Sequence, residues 1–208
     1  MENRRRNTAG HARARGPRRP WIPRAVLFDR DGTLVHDVPY NRDRRLVRPM
    51  PDAARVLDEL REAGIPTGVV SNQSGVGLGI ISPDELDAVN ARVEELLGPF
   101  DTWQVCPHGP DARCRCRKPQ PGLILAACSA LGVAPSDALV IGDIGKDMEA
   151  ARRAGARGVL VPTRVTRRQE VLEAPAVAGD LTSALILAFG SRELAASEPL
   201  ATGTGGAQ

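Results

Sequence analysis

The sequence predicts an α/β fold, a mainly parallel sheet with helices on both faces. Three observations predict it. Short apolar runs that read as buried strands recur at 25–28, 65–70, 103–105, 138–141 and 158–161. Stretches with apolar residues at helical spacing alternate with them, and that order joins parallel strands by right-handed crossovers. Several strands also run straight into polar clusters, and in such a sheet the carboxyl ends of the strands share one edge, where ligands bind.

In order, residues 1–22 are rich in Arg, Gly and Pro without periodicity and are expected to be a disordered basic tail. Ala25 to Phe28 is the first strand and ends in Asp29-Arg30-Asp31-Gly32-Thr33, followed by a polar loop over 32–49. Pro51 opens a helix to Ala63, with Val56, Leu57 and Leu60 as its apolar stripe and Gly64 as its stop. Ile65 to Val70 leads into Ser71-Asn72-Gln73-Ser74-Gly75, and Gly75, Gly77 and Gly79 read as a flexible loop. Ser82-Pro83-Asp84-Glu85 is a capping box for a helix to Leu97. A Cys/His segment, 106–116, follows the strand at 103–105. Gly122 to Leu131 reads as a buried helix, Lys146 to Ala154 as a helix stopped by Gly155, and Leu181 to Phe189 as the last helix. Residues 190–208 read as a flexible tail, which leaves 23–189 as one domain.

Composition bounds the function. The 208 residues are 42% hydrophobic but only 3% aromatic, so the core must be built from Val, Leu, Ile and Ala. No apolar run approaches the roughly 20 residues that span a bilayer. Pro, Gly and Arg interrupt any signal-peptide core after the basic start. A cytoplasmic monomer without membrane contact is expected. The net charge of +3 is uneven: eight Arg against Glu2 give residues 1–24 a charge of +7, so the remainder carries −4. An acidic body argues against a nucleic-acid groove and leaves the tail as the feature suited to an anionic partner.

The acids at the first strand end set the chemistry. If the strand ends converge, Asp29 and Asp31 meet Ser71, the segment Arg117-Lys118-Pro119, and Gly142-Asp143 with Asp147 one helical turn on. Two acids from one strand and one from another suit Mg²⁺, a hard cation that takes oxygen ligands. A lysine and a hydroxyl beside them neutralise and hydrogen-bond a phosphoryl group, an inventory that suits phosphoryl transfer. A carboxylate nucleophile splits hydrolysis into two steps through an aspartyl-phosphate. A second acid protonates the leaving alkoxide and then deprotonates the attacking water.

Cys106-x-His108-x₅-Cys114-x-Cys116 supplies one nitrogen and three sulfurs, a closed tetrahedral set for structural Zn²⁺. Such clustering favours metal over disulfides. The zinc is expected to pin a loop with little apolar content and so to position Lys118. Cys128 falls in an apolar helix pattern and reads as core.

The series Asp-x-Asp-Gly-Thr, strand-end Ser, Lys and Gly-Asp-x-x-x-Asp, in that order over 25–163, resembles the four motifs of the haloacid dehalogenase superfamily of phosphatases. The resemblance implies a Rossmannoid three-layer sandwich with Asp29 as nucleophile and Asp31 as general acid/base. It implies Mg²⁺ on Asp29, the backbone carbonyl of Asp31, and Asp143. Ser71 and Lys118 are implied to hold the transferring phosphoryl group, with Asp147 supporting Lys118 or the metal shell. At finer grain, Asp-Arg-Asp-Gly, Asn-Gln-Ser-Gly and Cys-Pro-His…Cys-x-Cys-Arg-Lys-Pro-x-Pro-Gly resemble the D,D-heptose 1,7-bisphosphate phosphatases, whose sister branch is the histidinol-phosphatases. That branch implies Asp37, Tyr40, Asn72, Gln73, Ser74 and Arg117 as contacts to a small phosphorylated sugar. Two features depart from it: the short His108–Cys114 spacing, closer to the histidinol branch, and Ile144, where a Lys often follows the metal-binding Asp. The alternatives are histidinol phosphate or another small sugar phosphate as substrate, then a DNA 3′-phosphate end, or an inactive zinc-stapled binding module. Helix spacing leaves no room for a large cap domain, so the loop 36–48 and the zinc loop must supply selectivity.

Overall fold

The computed structural model describes residues 21–189. The disorder expected of the basic tail, and the C-terminal tail expected over 190–208, fall on residues outside these apart from Trp21 and Ile22. The strands are β1 (Ala25–Phe28), β2 (Thr67–Asn72), β3 (Thr102–Cys106), β4 (Ala138–Gly142) and β5 (Arg157–Leu160). They form one parallel sheet in the order β3-β2-β1-β4-β5. The helices are α1 (Ala53–Glu62), α2 (Ser74–Gly77), α3 (Pro83–Leu97), α4 (Gly122–Ala130), α5 (Gly145–Ala154), α6 (Arg168–Glu173) and α7 (Leu181–Phe189). No helix among the described residues is long and apolar enough to cross a membrane.

The layers follow from strand periodicity. Alternate residues of a strand face opposite sides of the sheet. Val26 and Phe28 enter the core with Leu57 and Leu60 of α1, Val93 of α3 and Leu185 of α7. Leu27 enters the other, with Ile124 of α4 and Ala151 of α5. β1 and β4 are therefore buried along their whole length, as central parallel strands between helix layers must be. Among the described residues no cap domain interrupts the sandwich. Between β1 and α1 the chain holds only a 3₁₀ turn at Arg44–Leu46, and between β3 and α4 the Cys/His loop with a second turn at Pro110–Ala112.

Strand order places the site. The chain moves outward from β1 to β3, then returns to add β4 and β5 on the other side of β1. The crevice at that switch point opens beyond β1 and β4, where ligands bind in such sheets. Phe28 pairs with Ile141, and the Asp29 amide still donates to the Ile141 carbonyl at 2.9 Å. Asp29 and Asp143 thus leave adjacent strands side by side.

Three local expectations change. β2 begins at Thr67 rather than Ile65 and runs on to Asn72, because the β3 ladder pairs Ser71 with Val105 and Asn72 with Cys106. The glycines after it are not a flexible loop but the short helix α2. Gly77 donates its amide to the Pro107 carbonyl at 2.7 Å, and a Cβ there would sit 2.6 Å from the Gly109 nitrogen. Glycine is what lets α2 lie directly on the backbone of the Cys/His loop. Trp21, ahead of the expected domain start at 23, packs against the core, with the Arg157 guanidinium 3.8 Å over its ring.

Candidate active site

Lys118 sits at the centre of the polar edge and is 3% exposed. Its ammonium lies 2.8 Å from Asp29 Oδ1 and 2.6 Å from Asp147 Oδ1, and donates to the Val70 carbonyl at 2.7 Å. Two of the three ammonium protons are engaged in hydrogen bonds, to Asp29 Oδ1 and the Val70 carbonyl, while Asp147 Oδ1 is paired by charge and has no hydrogen-bond partner among the described residues. The other oxygen of Asp147, Oδ2, accepts from the Ile144 amide at 3.2 Å. Asp147 therefore pairs with Lys118 through Oδ1, and its carboxylate also lies within reach of a metal shared with Asp29 and Asp143. Close packing needs two glycines here. A Cβ on Gly142 would collide with the Asp147 side chain, and one on Gly32, at φ +80°, with the Asp143 carboxylate.

The end of β2 serves the same centre. Asn72 Oδ1 accepts from the Lys118 amide at 3.0 Å while its Nδ2 donates to the Lys118 carbonyl at 3.1 Å. The sequence reading assigns Asn72 to the substrate; the structure spends its amide on Lys118. Gln73 is likewise engaged, donating to Asp31 Oδ2 at 2.7 Å and to Ser71 Oγ at 2.9 Å. Ser71 is buried with its hydroxyl proton free to donate. Thr166 Oγ1 donates to the Asp143 carbonyl at 2.6 Å, and Thr163 Oγ1 to Asp143 Oδ2 at 3.4 Å, so the loop after β5 holds Asp143.

A cleft of about 390 Å³ opens over these groups. Asp29, Asp31, Asp37, Tyr40, Asn72, Gln73, Ser74, Arg117, Lys118 and Asp143 all line it, as do Ile144, Lys146 and Val165. Tyr40 is half exposed, with φ +52°, and its ring packs at Gly75, where a Cβ would sit 2.8 Å from Tyr40 Cδ1. Lys146 escapes the sequence reading, although a signal was there. Only two of the 28 basic residues are lysine, Lys118 and Lys146, and both line this cleft. Thr163 and Thr166 left no such signal. A second cavity, about 530 Å³, lies against β5 and α6 and is walled largely by Trp21, Met148, Leu187 and alanines, away from the acids of the switch point.

Charge explains why a cation fits. The buried carboxylates of Asp29, Asp143 and Asp147 offer oxygens within 4.8 Å of one another, and one ammonium, Lys118, pairs with Asp29 and Asp147. Burial pushes Asp29 up to about 7; Lys118 pulls it down, and Asp147 and Asp31 push it further up. Burial also raises Asp143, to about 8, with Asp29 and Asp147 adding to it. Lys118 is held above its ordinary value, because Asp147 and Asp29 outweigh the burial that disfavours its charge. Burial and Asp31 raise Asp37. Asp29, Asp143 and Asp147 are the group that could hold a divalent cation, with Asp147 also paired to Lys118.

That competition between protons and metal is measurable. Asp29 and Asp143 have folded values above their ordinary 3.8, so their contribution to stability without metal is present at low pH and is lost as pH rises through about 7 to 8. A bound cation favours the charged forms instead. The rise in melting temperature on adding Mg²⁺ is therefore expected to be small near about pH 5 and to grow toward about pH 9. A shift independent of pH would place the metal on other groups.

The second cluster lies beside the first. Cys106 ends β3, and Cys106, His108, Cys114 and Cys116 bring their ligand atoms within 4.8 Å of one another. Cys106 Sγ is 3.7 Å from Cys114 Sγ and 3.3 Å from Cys116 Sγ; His108 Nδ1 is 3.5 Å from Cys106 Sγ and 3.3 Å from Cys116 Sγ. Tetrahedral zinc with arms of about 2.3 Å to sulfur and about 2.0 Å to nitrogen needs edges of roughly 3.5 to 3.8 Å. Two of the four separations fall in that range and the two that involve Cys116 are shorter, so the donor set suits that ion with Cys116 moved slightly outward. The Arg117 amide donates to Cys114 Sγ at 3.4 Å, a contact that supports a thiolate, and the Gln73 amide reaches the Cys106 carbonyl at 2.8 Å.

Comparison with known proteins agrees with this geometry. A family model described as HAD-hydrolase-like matches residues 115–184. The D-glycero-beta-D-manno-heptose-1,7-bisphosphate 7-phosphatase of Pseudomonas putida is 34% identical over 143 residues, 66% of this chain and 82% of that one. The D-glycero-alpha-D-manno-heptose-1,7-bisphosphate 7-phosphatase of Mycobacterium tuberculosis is 36% identical over 141 residues, 63% of this chain and 73% of that one. The crystal structure of D,D-heptose 1,7-bisphosphate phosphatase from B. bronchiseptica, complexed with magnesium and phosphate, matches with a TM-score of 0.69 and 26% identity over 77% of this chain and 95% of that one. The chain belongs to the haloacid dehalogenase superfamily of phosphatases. Within that superfamily it is a relative of the D,D-heptose 1,7-bisphosphate 7-phosphatases.

Proposed function

We propose that the chain is a Mg²⁺-dependent phosphomonoesterase that removes the 7-phosphate of D-glycero-D-manno-heptose 1,7-bisphosphate. The observation that carries the reaction is the triangle of Asp29, Lys118 and Asp147. Lys118 holds Asp29 by Oδ1 and leaves Oδ2 as the attacking oxygen. In the first step Asp29 bonds to phosphorus, the bond from phosphorus to the sugar oxygen breaks, and Asp31 gives that oxygen a proton. In the second step Asp31 takes a proton from water, the water oxygen bonds to phosphorus, and inorganic phosphate leaves Asp29. Lys118 and Ser71 hold the phosphoryl oxygens throughout. Asp29, Asp143 and the Asp31 carbonyl would hold Mg²⁺, which would supply neutralisation of phosphoryl charge. The Cys/His set would hold Zn²⁺, and Arg117 and Lys118 leave that loop directly. One chain supplies every group, so a monomer suffices.

The substrate rests on the relatives and on two cations beyond the reaction itself. Arg117 and Lys146 both line the cleft, and Lys146 enters from the first turn of α5, where Ile144 left no cation. Together they suit a second, non-transferred phosphate. The test is kcat/KM for both anomers of heptose bisphosphate, for histidinol phosphate and for simple sugar monophosphates. Heptose bisphosphate is expected to lead by more than about tenfold, or about 1.4 kcal/mol. A smaller lead removes this substrate, and a lead for histidinol phosphate adopts the reading favoured by the short His108–Cys114 spacing. Lys146→Ala is expected to raise KM for the bisphosphate about tenfold and to leave monophosphates nearly unchanged.

A further inference from the structure

Arg30 is the largest fully buried side chain in the described structure, at 2% exposure. A guanidinium is rarely buried unless its donors are paired. Here Nε donates to Asp31 Oδ1 at 3.1 Å and Oδ2 at 3.2 Å, and Nη2 to Asp31 Oδ2 at 2.8 Å. On its far side Nη1 donates to Asn90 Oδ1 at 2.7 Å. Asn90 sits on α3, between Val89 and Val93, which are buried in the core. The N-terminus of α3 is fixed by the reciprocal Ser82–Glu85 box.

We infer that Arg30 and Asn90 are positioning residues: α3, through Asn90 and the planar Arg30 fork, sets the orientation of the Asp31 carboxylate. The inference rests on the reading of Asp31 as general acid/base. The geometry also divides the work of its two oxygens. Oδ2 takes donors from both nitrogens of the Arg30 fork and from Gln73 Nε2 at 2.7 Å, whereas Oδ1 takes Arg30 Nε alone. Oδ2 is the held oxygen, and Oδ1 is the one with a lone pair left to carry the proton to the leaving group. The Asp31 side chain is 25% exposed and Arg30 2%, so the carboxylate faces the cleft with the guanidinium behind it. If the Asn90 acceptor is lost, Nη1 becomes a buried donor without a partner, and the fork is no longer braced against a fixed helix.

The leaving group supplies a readout that mere structural damage does not move. An alkyl phosphate needs its departing oxygen protonated; 4-nitrophenyl phosphate, whose phenolate leaves unaided, does not. Asn90→Leu keeps the bulk and removes the acceptor. It is expected to lower kcat/KM about tenfold for a sugar phosphate and less than about twofold for 4-nitrophenyl phosphate. The ratio of the two is independent of the fraction folded. Asn90→Asp keeps an acceptor and is expected to restore the ratio. Arg30→Lys, a point charge that cannot span Asn90 and both Asp31 oxygens, is expected to show the same bias as Asn90→Leu. Equal losses on both substrates, or an Asn90→Asp no better than Asn90→Leu, would overturn the inference. Asp31→Asn separates the two readings. If it too loses equally on both substrates, the general-acid role of Asp31 fails; if it alone shows the bias, only the positioning roles fail.

Discussion

Asp29→Asn is expected to lower kcat/KM by about 10⁴-fold or more while the chain stays folded, because a nucleophile acts as part of a unit that fails without it. The substitution is nearly isosteric. On the proposed mechanism it removes the attacking oxygen and changes little else. Burial already pushes the Asp29 carboxyl up to about 7, so the fold favours an uncharged group at this position. Lys118 keeps Asp147 and the Val70 carbonyl as partners. The melting temperature without metal is therefore expected to hold or rise at neutral pH, and phosphate release to vanish. Turnover within about tenfold of the parent, from protein that melts normally, would exclude Asp29 as the nucleophile.

Removal of zinc is the second large effect. Metal analysis is expected to find about one zinc per chain, since the four ligands form a closed set. The loop they close has almost no apolar content of its own: Pro107, Gly109, Asp111, Arg113 and Arg115 alternate with the ligands and their neighbours. Backbone contacts to α2 are what else holds it, the Gly77 amide donating to the Pro107 carbonyl at 2.7 Å. Structural zinc contributes apparent free energies of about 10–16 kcal/mol in small zinc-dependent peptides. In a domain of this size each kcal/mol moves the melting temperature by about 2–4 °C. Even a modest share predicts a fall of about 10 °C or more on chelation. Activity should fall with it, because Lys118 stands two residues beyond Cys116. Cys114→Ser should reproduce both losses. Stripped protein that melts at the parent temperature would show that the thiolates hold no structural ion.

Much of the site was legible in the chain itself, because strand ends and ligand spacings are local. The acids after Phe28 and Gly142 follow their strand ends, and the Cys/His side chains gather in one cluster. Asp37, Tyr40, Asn72, Gln73, Ser74 and Arg117 line the cleft, whereas Ser71 is buried and is not among its lining residues. The tasks of Asn72 and Gln73 were not legible. Both look like substrate amides in sequence, yet one is engaged by the Lys118 backbone and the other by Asp31 and Ser71. The glycine run after them reads as flexible because nothing local reveals the backbone it packs against.

The sequence by itself determined the alternation of strands and helices, the acids at the strand ends and the composition of the zinc set. Each depends on periodicity or on neighbours a few residues apart. Tertiary structure alone decided that Arg30 reaches Asn90 sixty positions away, that Asp147 pairs with Lys118, and that Lys146 lines the cleft. A buried polar group must find its partner among whatever the crossovers bring beside it, and no local pattern encodes that choice.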